Sequence, residues 1–315
     1  MPELPEVETI ARGLADRVTG DVIESVWLGR KPEPLKSPAR EIVSALEHGR
    51  IASVHRIGKQ IVFDLEPENA ERVPSSAKAR ESKVGPASAT ENHKLRGRAA
   101  LQGRVSRAKS LAASAPAAHF IVHLGMTGRL QVCEPHSEMI KHTHAILKLA
   151  SGRELRFVDP RRFGRLSVAR AGAFDAGGIE PLEAGLDRFL ELFSGRKTPI
   201  KSALLNQKLL RGVGNIYADE SLFRAGIRPR RRASTIARDQ LAKLLASVKE
   251  VLKEAIALGG SSISDYVDAD GEEGFFQLQH RVYGREGEPC LVCKTLVKRI
   301  VIAGRSSHYC PRCQR

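Results

Sequence analysis

Aromatic residues are scarce in this chain: 5% of 315 residues, with a single tryptophan. None lies between residues 66 and 117, where Ala, Ser, Lys and Arg dominate. Such a segment cannot bury enough apolar surface to offset its ordering entropy. It reads as a disordered basic insertion between two adjacent strands, with GRAALQGRVSRAKSLAASA able to form a transient basic helix. No apolar run approaches the roughly 18 residues of a membrane span, so none is expected. The N-terminus has no basic stretch followed by an apolar core, so no signal peptide is expected and the compartment should be reducing. Acidic charge is also in deficit. Against 51 Lys and Arg stand 36 Asp and Glu, a formal net charge of +15 and a pI near 9.9. That excess implies a polyanionic partner, nucleic acid or an acidic membrane surface. The length suggests about two domains with real cores.

Cysteine is sparse, yet four of the five are grouped as Cys290, Cys293, Cys310 and Cys313, two C-x-x-C pairs sixteen residues apart. Each knuckle aims two sulfurs at one point, and two knuckles complete the tetrahedral thiolate shell that zinc prefers. The intervening TLVKRIVIAGRSSHY predicts two short strands about a turn at Ala303-Gly304, hence a β-hairpin finger. Four protein thiolates leave no open position, so the one zinc should be structural. Cys133 stands alone and reads as a small buried hydrophobe.

VETIARGLADRV carries a helical apolar stripe at Val7, Ile10, Leu14 and Val18. Strand-like runs follow: DVIESVWL, RIASVHRI, QIVFDL, HFIVHLG, HAILKLA, ELRFVD and RLSVAR. They predict a β-sandwich or barrel-like body with one N-terminal helix. At DAGGIEPLEAG, Gly177-Gly178 and Pro181 suggest a hinge over 177–182. Beyond it three helices are expected. IKSALLNQKLL is introduced by Thr198-Pro199, IYADESLFRAG is capped by Asn215, and ARDQLAKLLASVKEVLKEAIALGG ends in glycines. In RGVGN, Gly212 and Gly214 admit close backbone approach, and the following helix start is a natural phosphate site. Arg196, Lys197, Lys201 and Arg211 add charge nearby. The arrangement reads as a clamp on a DNA backbone.

The chain opens MPELPEVE. Alone, this is a proline-led helix start with carboxylates near the positive end of the dipole. Together with HLGMTGRL, DPRRFG, KTPIKSALLNQKLLRGVGNIYADESLF and GRSSHYCPRCQ, in that order, it resembles the bacterial formamidopyrimidine-DNA glycosylases. These base-excision repair enzymes combine glycosylase and abasic-site lyase activities on oxidised purines. The resemblance covers nearly the whole chain outside the insertion. It implies an α+β fold: an N-terminal β-sandwich with flanking helices over 1–176, the hinge, and a helix–two-turn–helix domain over 183–260. A lesion-recognition loop and connector over 261–284 and a zinc finger over 285–315 complete it.

It further implies that Met1 is removed and that the Pro2 nitrogen becomes the nucleophile. Glu3 would be the acid/base at the sugar ring, and Glu6 would orient that site or the helix. Lys59, by itself a solvated strand-edge lysine, would donate the proton in β-elimination. Arg305 would serve δ-elimination and grip phosphate. Met126 would fill the gap left by the everted nucleotide. Arg161 would bond the orphaned cytosine and Phe163 would wedge between bases. His142, Arg196, Lys201 and Asn215 would contact the DNA, while His144 reads as structural. The implied partner is double-stranded damaged DNA, with no membrane, no obligate protein partner and a monomeric, cytoplasmic, nucleoid-associated protein. The insertion, and the text GRSSHYC beside Arg305, depart from the usual pattern. An endonuclease-VIII-like pyrimidine glycosylase usually starts PEGPE rather than PELPE. A zinc-finger DNA-binding protein without catalysis would lack a use for Pro2, Glu3 and Lys59.

Overall fold

The computed structural model describes residues 1–67, 117–261 and 274–315. The expected insertion, and the centre of the expected recognition loop, lie outside these residues. Helix α1, Leu4–Val18, puts the stripe read from the sequence, Val7, Ile10, Leu14 and Val18, in the core together with Ala11. All seven strand-like runs form strands: β1 Ile23–Leu28, β2 Gly49–Ile57, β3 Gln60–Pro67, β4 Ala118–His123, β6 Thr143–Leu149, β7 Glu154–Val158 and β8 Arg165–Arg170. One strand, β5 Arg129–Cys133, was not expected. The eight make two antiparallel four-stranded sheets, ordered β1-β6-β7-β5 and β2-β3-β4-β8. Neither sheet closes on itself. The body is therefore an open sandwich, and the barrel-like alternative is set aside.

Its core joins Phe63, Phe120, Phe157 and Leu166 to the apolar face of α1. Aliphatic and phenylalanine side chains carry this core, so few aromatics suffice. Cys133 is half-buried at the end of edge strand β5, not the buried hydrophobe expected.

Helix α2, Ala39–Leu46, also escaped the sequence reading, although Ile42 and Leu46 at i and i+4 bury completely. So did α3, Leu186–Phe193. At the expected hinge, Gly177 and Gly178 have φ of +62° and +58°. Ile179 N–H donates to the Leu209 carbonyl at 2.9 Å, tying that segment down directly after the glycine pair. Helix α4 covers only Ile200–Leu204, with Pro199 and not Thr198 at its cap. The remainder of IKSALLNQKLL forms turns. There Gln207 donates to the Leu205 and Val213 carbonyls and accepts the Gly212 N–H, drawing the chain out of the helix.

Helix α5, Asn215–Ala225, is capped by Gly214, so Asn215 is its first residue and not its cap. It packs on α6, Arg238–Ala257. The expected finger hairpin is present as β9 Lys298–Ile302 and β10 Arg305–Tyr309, turning at Ala303-Gly304. Leu4 belongs to the helical core and Val7 to the sandwich core, so α1 roots in both. Among the described residues no helix is long and apolar enough to cross a membrane.

Candidate active site

The chain start is fixed by the glycine turn that follows α4. Leu4 N–H donates to the Gly212 carbonyl at 3.0 Å. Gly212 has φ +89°, and a Cβ there would lie 2.7 Å from a Leu4 methyl carbon. A Cβ on Gly214 would lie 2.1 Å from Glu3 Cδ. Both glycines are therefore required by close approach, but what approaches is the protein's own N-terminus. Glu3 Oε1 accepts the Ile216 N–H at 3.2 Å, so its carboxylate sits at the positive end of α5. The phosphate site expected there is already filled by Glu3.

Glu3 is 5% exposed, and its second oxygen, Oε2, is buried without a hydrogen-bond partner. Burial pushes its carboxyl up from 4.5 to about 7, against the pull of the Lys59 ammonium and with a further push from Glu6. Glu6 reaches back to accept the Glu3 N–H at 2.7 Å, half of a capping box. It also accepts the Ser261 N–H at 2.8 Å and the Tyr217 hydroxyl. Burial raises its carboxyl, and those donors oppose the rise. Glu6 thus joins α1 to α5 and to Ser261, the first residue of the expected recognition loop.

Lys59 lies in the turn between β2 and β3, not on a strand edge. Burial lowers its ammonium, while Glu3 and Glu6 pull the other way. Glu3, Lys59, Asn215, Tyr283 and Arg305 line one cavity of about 840 Å³, with Met1 at its wall. Pro2 is half-buried between Met1 and Glu3. A carboxyl able to hold a proton near neutral pH and a partly desolvated amine thus face one cleft that a sugar-phosphate could enter.

Three exposed residues crown two neighbouring loops: Met126 at 42% exposure, Phe163 at 48%, and Arg161, whose guanidinium carbon stands 4.9 Å from the Phe163 ring centroid. Large apolar side chains in the open ask for an occupant. Asp159, missed by the sequence reading, organises both loops. Fully buried, it accepts the Thr127 hydroxyl at 2.6 Å, the Arg161 N–H at 3.2 Å and the Gly164 N–H at 2.7 Å. Its own N–H donates to the His142 carbonyl at 3.0 Å. Its position as the first residue of DPRRFG was the available signal. His142 is exposed just ahead of β6, whereas His144 is buried against the Asp159 carbonyl at 2.9 Å and is structural as expected.

Lys201 requires correction. It is 1% exposed, its ammonium 2.7 Å from Asp219 and 2.6 Å from the Ser306 carbonyl, so it holds the finger to the helices and is not on a DNA-facing surface. Asp219 also accepts the His308 N–H at 2.9 Å. Asn215 Nδ2 donates to Ser306 Oγ at 3.3 Å, a second tie to the hairpin. Arg196 is exposed beyond α3, where it caps the Leu192 carbonyl, and it is not among the residues lining the cavity.

The four clustered thiols have all their Sγ atoms within 4.8 Å of one another, with Cys290–Cys313 at 3.9 Å and Cys293–Cys310 at 3.4 Å. A tetrahedron with Zn–S bonds of about 2.3 Å has S···S edges of roughly 3.8 Å, so this set fits one structural zinc. Chelation is expected to release the hairpin, and with it Arg305, from the cavity. Loss of zinc in step with loss of DNA binding checks this; full binding by zinc-free protein would contradict it.

Family models match along the chain: the formamidopyrimidine-DNA glycosylase N-terminal domain at residues 1–75 and 71–166, its H2TH domain at 178–267, and the zinc finger found in FPG and IleRS at 287–315. A formamidopyrimidine-DNA glycosylase of Solibacter usitatus is 41% identical over 324 residues, covering 100% of both chains. The crystal structure of the MutM (Fpg) protein of Thermus thermophilus aligns with a TM-score of 0.76 and 36% identity, over 99% of this chain and 98% of that one. A Lactococcus lactis Fpg variant, solved in complex with Fapy-dG-containing DNA, aligns with a TM-score of 0.79 and 28% identity over 100% of each. With its motifs, two cores and finger all accounted for, the chain belongs to the formamidopyrimidine-DNA glycosylase family.

Proposed function

We propose that this protein flips oxidised purines out of duplex DNA, excises the base through a Schiff base on Pro2 and nicks the strand by β,δ-elimination. The observation that carries this reading is the meeting of the chain start, a near-neutral carboxyl and a desolvated lysine on one cleft. Once Met1 is removed, the Pro2 nitrogen is a terminal secondary amine. An α-amino group titrates at roughly 7.7–8 and lysine near 10.4, so more of it is neutral at working pH. Its lone pair forms a bond to C1′, the base departs with the glycosidic electrons, and the proton that the nitrogen then sheds balances the one the base takes up. Protonated Glu3 gives its proton to the ring oxygen, the sugar opens, and an iminium forms. That cation draws electrons from C2′, whose proton is lost as the 3′ phosphate leaves. A second elimination expels the 5′ phosphate. Lys59 supplies proton transfer in the first elimination, and Arg305 holds phosphate in the second.

Extrusion of the nucleotide costs a few kcal/mol. In this reading Met126 and Phe163 replace the lost stacking, and Arg161 pairs with the base left behind. His142, Arg196 and Asn215 contact the backbone. The catalytic body is assigned to 1–176 and the DNA-binding domain and finger to the chain beyond the 177–182 segment. The site of action is the nucleoid. The test is a panel of single-lesion duplexes. Release of 8-oxoguanine and formamidopyrimidine, with doubly phosphorylated gap ends, is expected. Preferential release of oxidised pyrimidines would instead support the endonuclease-VIII-like alternative.

A further inference from the structure

The stretch RPRRR, Arg228–Arg232, places four arginines in five residues, and they divide by task. Arg228 spends its guanidinium on the Gln314 and Pro311 carbonyls at 3.0 and 2.9 Å, and Arg231 bonds the Arg315 and Thr235 carbonyls. These two close the C-terminal end of the finger onto the helical body. Arg230 and Arg232 stay exposed. Their segment runs antiparallel to the one carrying Arg196 and Lys197. Pro199 bridges to Arg232, Ala233 N–H donates to the Thr198 carbonyl at 3.0 Å, and Ser234 N–H to the Arg196 carbonyl at 2.9 Å.

On the finger side, Arg230 Nη2 reaches the Val301 carbonyl at 3.5 Å, and Val301 and Arg299 line the 840 Å³ cavity. Arg299, Arg230, Arg232, Lys197 and Arg196 thus follow one another away from the cavity wall. All five are exposed, and no ion pair with a carboxylate is found for any of them among the described residues. Nearby acids are already paired: Asp187 with Arg238 and Glu191 with Arg188.

We infer that this strip is a second DNA track, in which Arg230 and Arg232 hold the phosphate backbone of the duplex arm flanking the lesion. Uncompensated cations spaced along a ridge that begins at the cavity complement a polyphosphate chain, and guanidinium groups suit phosphate bidentately. The inference rests on the DNA-repair reading above. It extends the contact surface beyond the cleft and gives RPRRR a use that closing the finger leaves unfilled.

The test is the salt dependence of binding to a lesion-containing duplex long enough to reach the strip. Each phosphate contact contributes roughly 0.9 to the slope of log K against log salt, so an Arg230→Ser, Arg232→Ser double variant should flatten the slope by about 2. Single-turnover base release at saturating enzyme, and zinc content, should match wild type. Arg230→Lys, Arg232→Lys should restore the slope. A serine pair with the wild-type slope overturns the inference, as does a flattened slope that the lysine pair fails to restore. A wild-type protein whose binding ignores salt overturns the DNA reading itself, and the track with it.

Discussion

Protein that retains Met1, or carries an uncleaved N-terminal tag, is expected to form no borohydride-stable adduct with oxidised-guanine DNA. Its strand nicking should fall on the order of a thousandfold or more, the scale seen when a nucleophile is removed. A peptide-bonded Pro2 nitrogen is an amide without a basic lone pair, and it cannot form an iminium. The loss should be chemical and not structural. Leu4 remains bonded to Gly212 and Glu3 to Ile216 with Met1 in place, so folding and zinc content should be unchanged. Nicking assays on the blocked protein, before and after removal of the extra residues, check this. Full activity while blocked would refute Pro2 as the nucleophile.

Glu3→Gln should inactivate base excision and yet stabilise the protein at alkaline pH. Removing a general acid costs about 10²–10⁴ in rate. The stability effect follows from burial. Glu3 sits at about 7 in the folded chain, above its ordinary 4.5, so the folded state holds the proton more tightly than the unfolded one. Its contribution is complete below about 4.5 and is lost as pH rises through 7. At pH 8 the buried carboxylate therefore weakens the fold by about 3 kcal/mol, at 1.36 kcal/mol per pKa unit. Glutamine carries no charge to bury. The variant should exceed wild type by up to about 3 kcal/mol at pH 8 and match it near pH 4, as read by urea denaturation at both. Equal stability at both values would mean that Glu3 is not strained by burial. In wild type, base release should decline as pH rises above about 7, because the acid form is lost. The glutamine variant should lack that limb.

What could be read from the sequence was local in the chain. The four cysteines announce their geometry by spacing, and the α1 stripe and finger hairpin follow from period and turn residues. The seven expected strands showed as strand-like apolar runs, whereas β5 is as short as β7 and buries only Leu130 fully. Pairings distant in the chain were invisible. RGVGN advertises close approach at its glycines but not the visitor, which is Glu3, 211 residues from Gly214. Lys201 looked like one more cation of a basic segment until Asp219, on the next helix, took its charge into the interior. Asp159 bears no charge partner in sequence, because its work is to gather backbone and hydroxyl donors from two loops. The turns after α4 replace an apparently continuous helix because Gln207 satisfies the freed backbone groups.

The catalytic account stands on one atom, the nitrogen of Pro2, whose chain neighbours Met1 and Glu3 both line the cleft. Reduction of the reaction with borohydride, digestion and peptide mass mapping locate the attachment point directly. The expected result is a sugar remnant on an N-terminal peptide that starts at Pro2. A remnant on Lys59 or any other lysine, or mature protein that reacts with Met1 still attached, would contradict it.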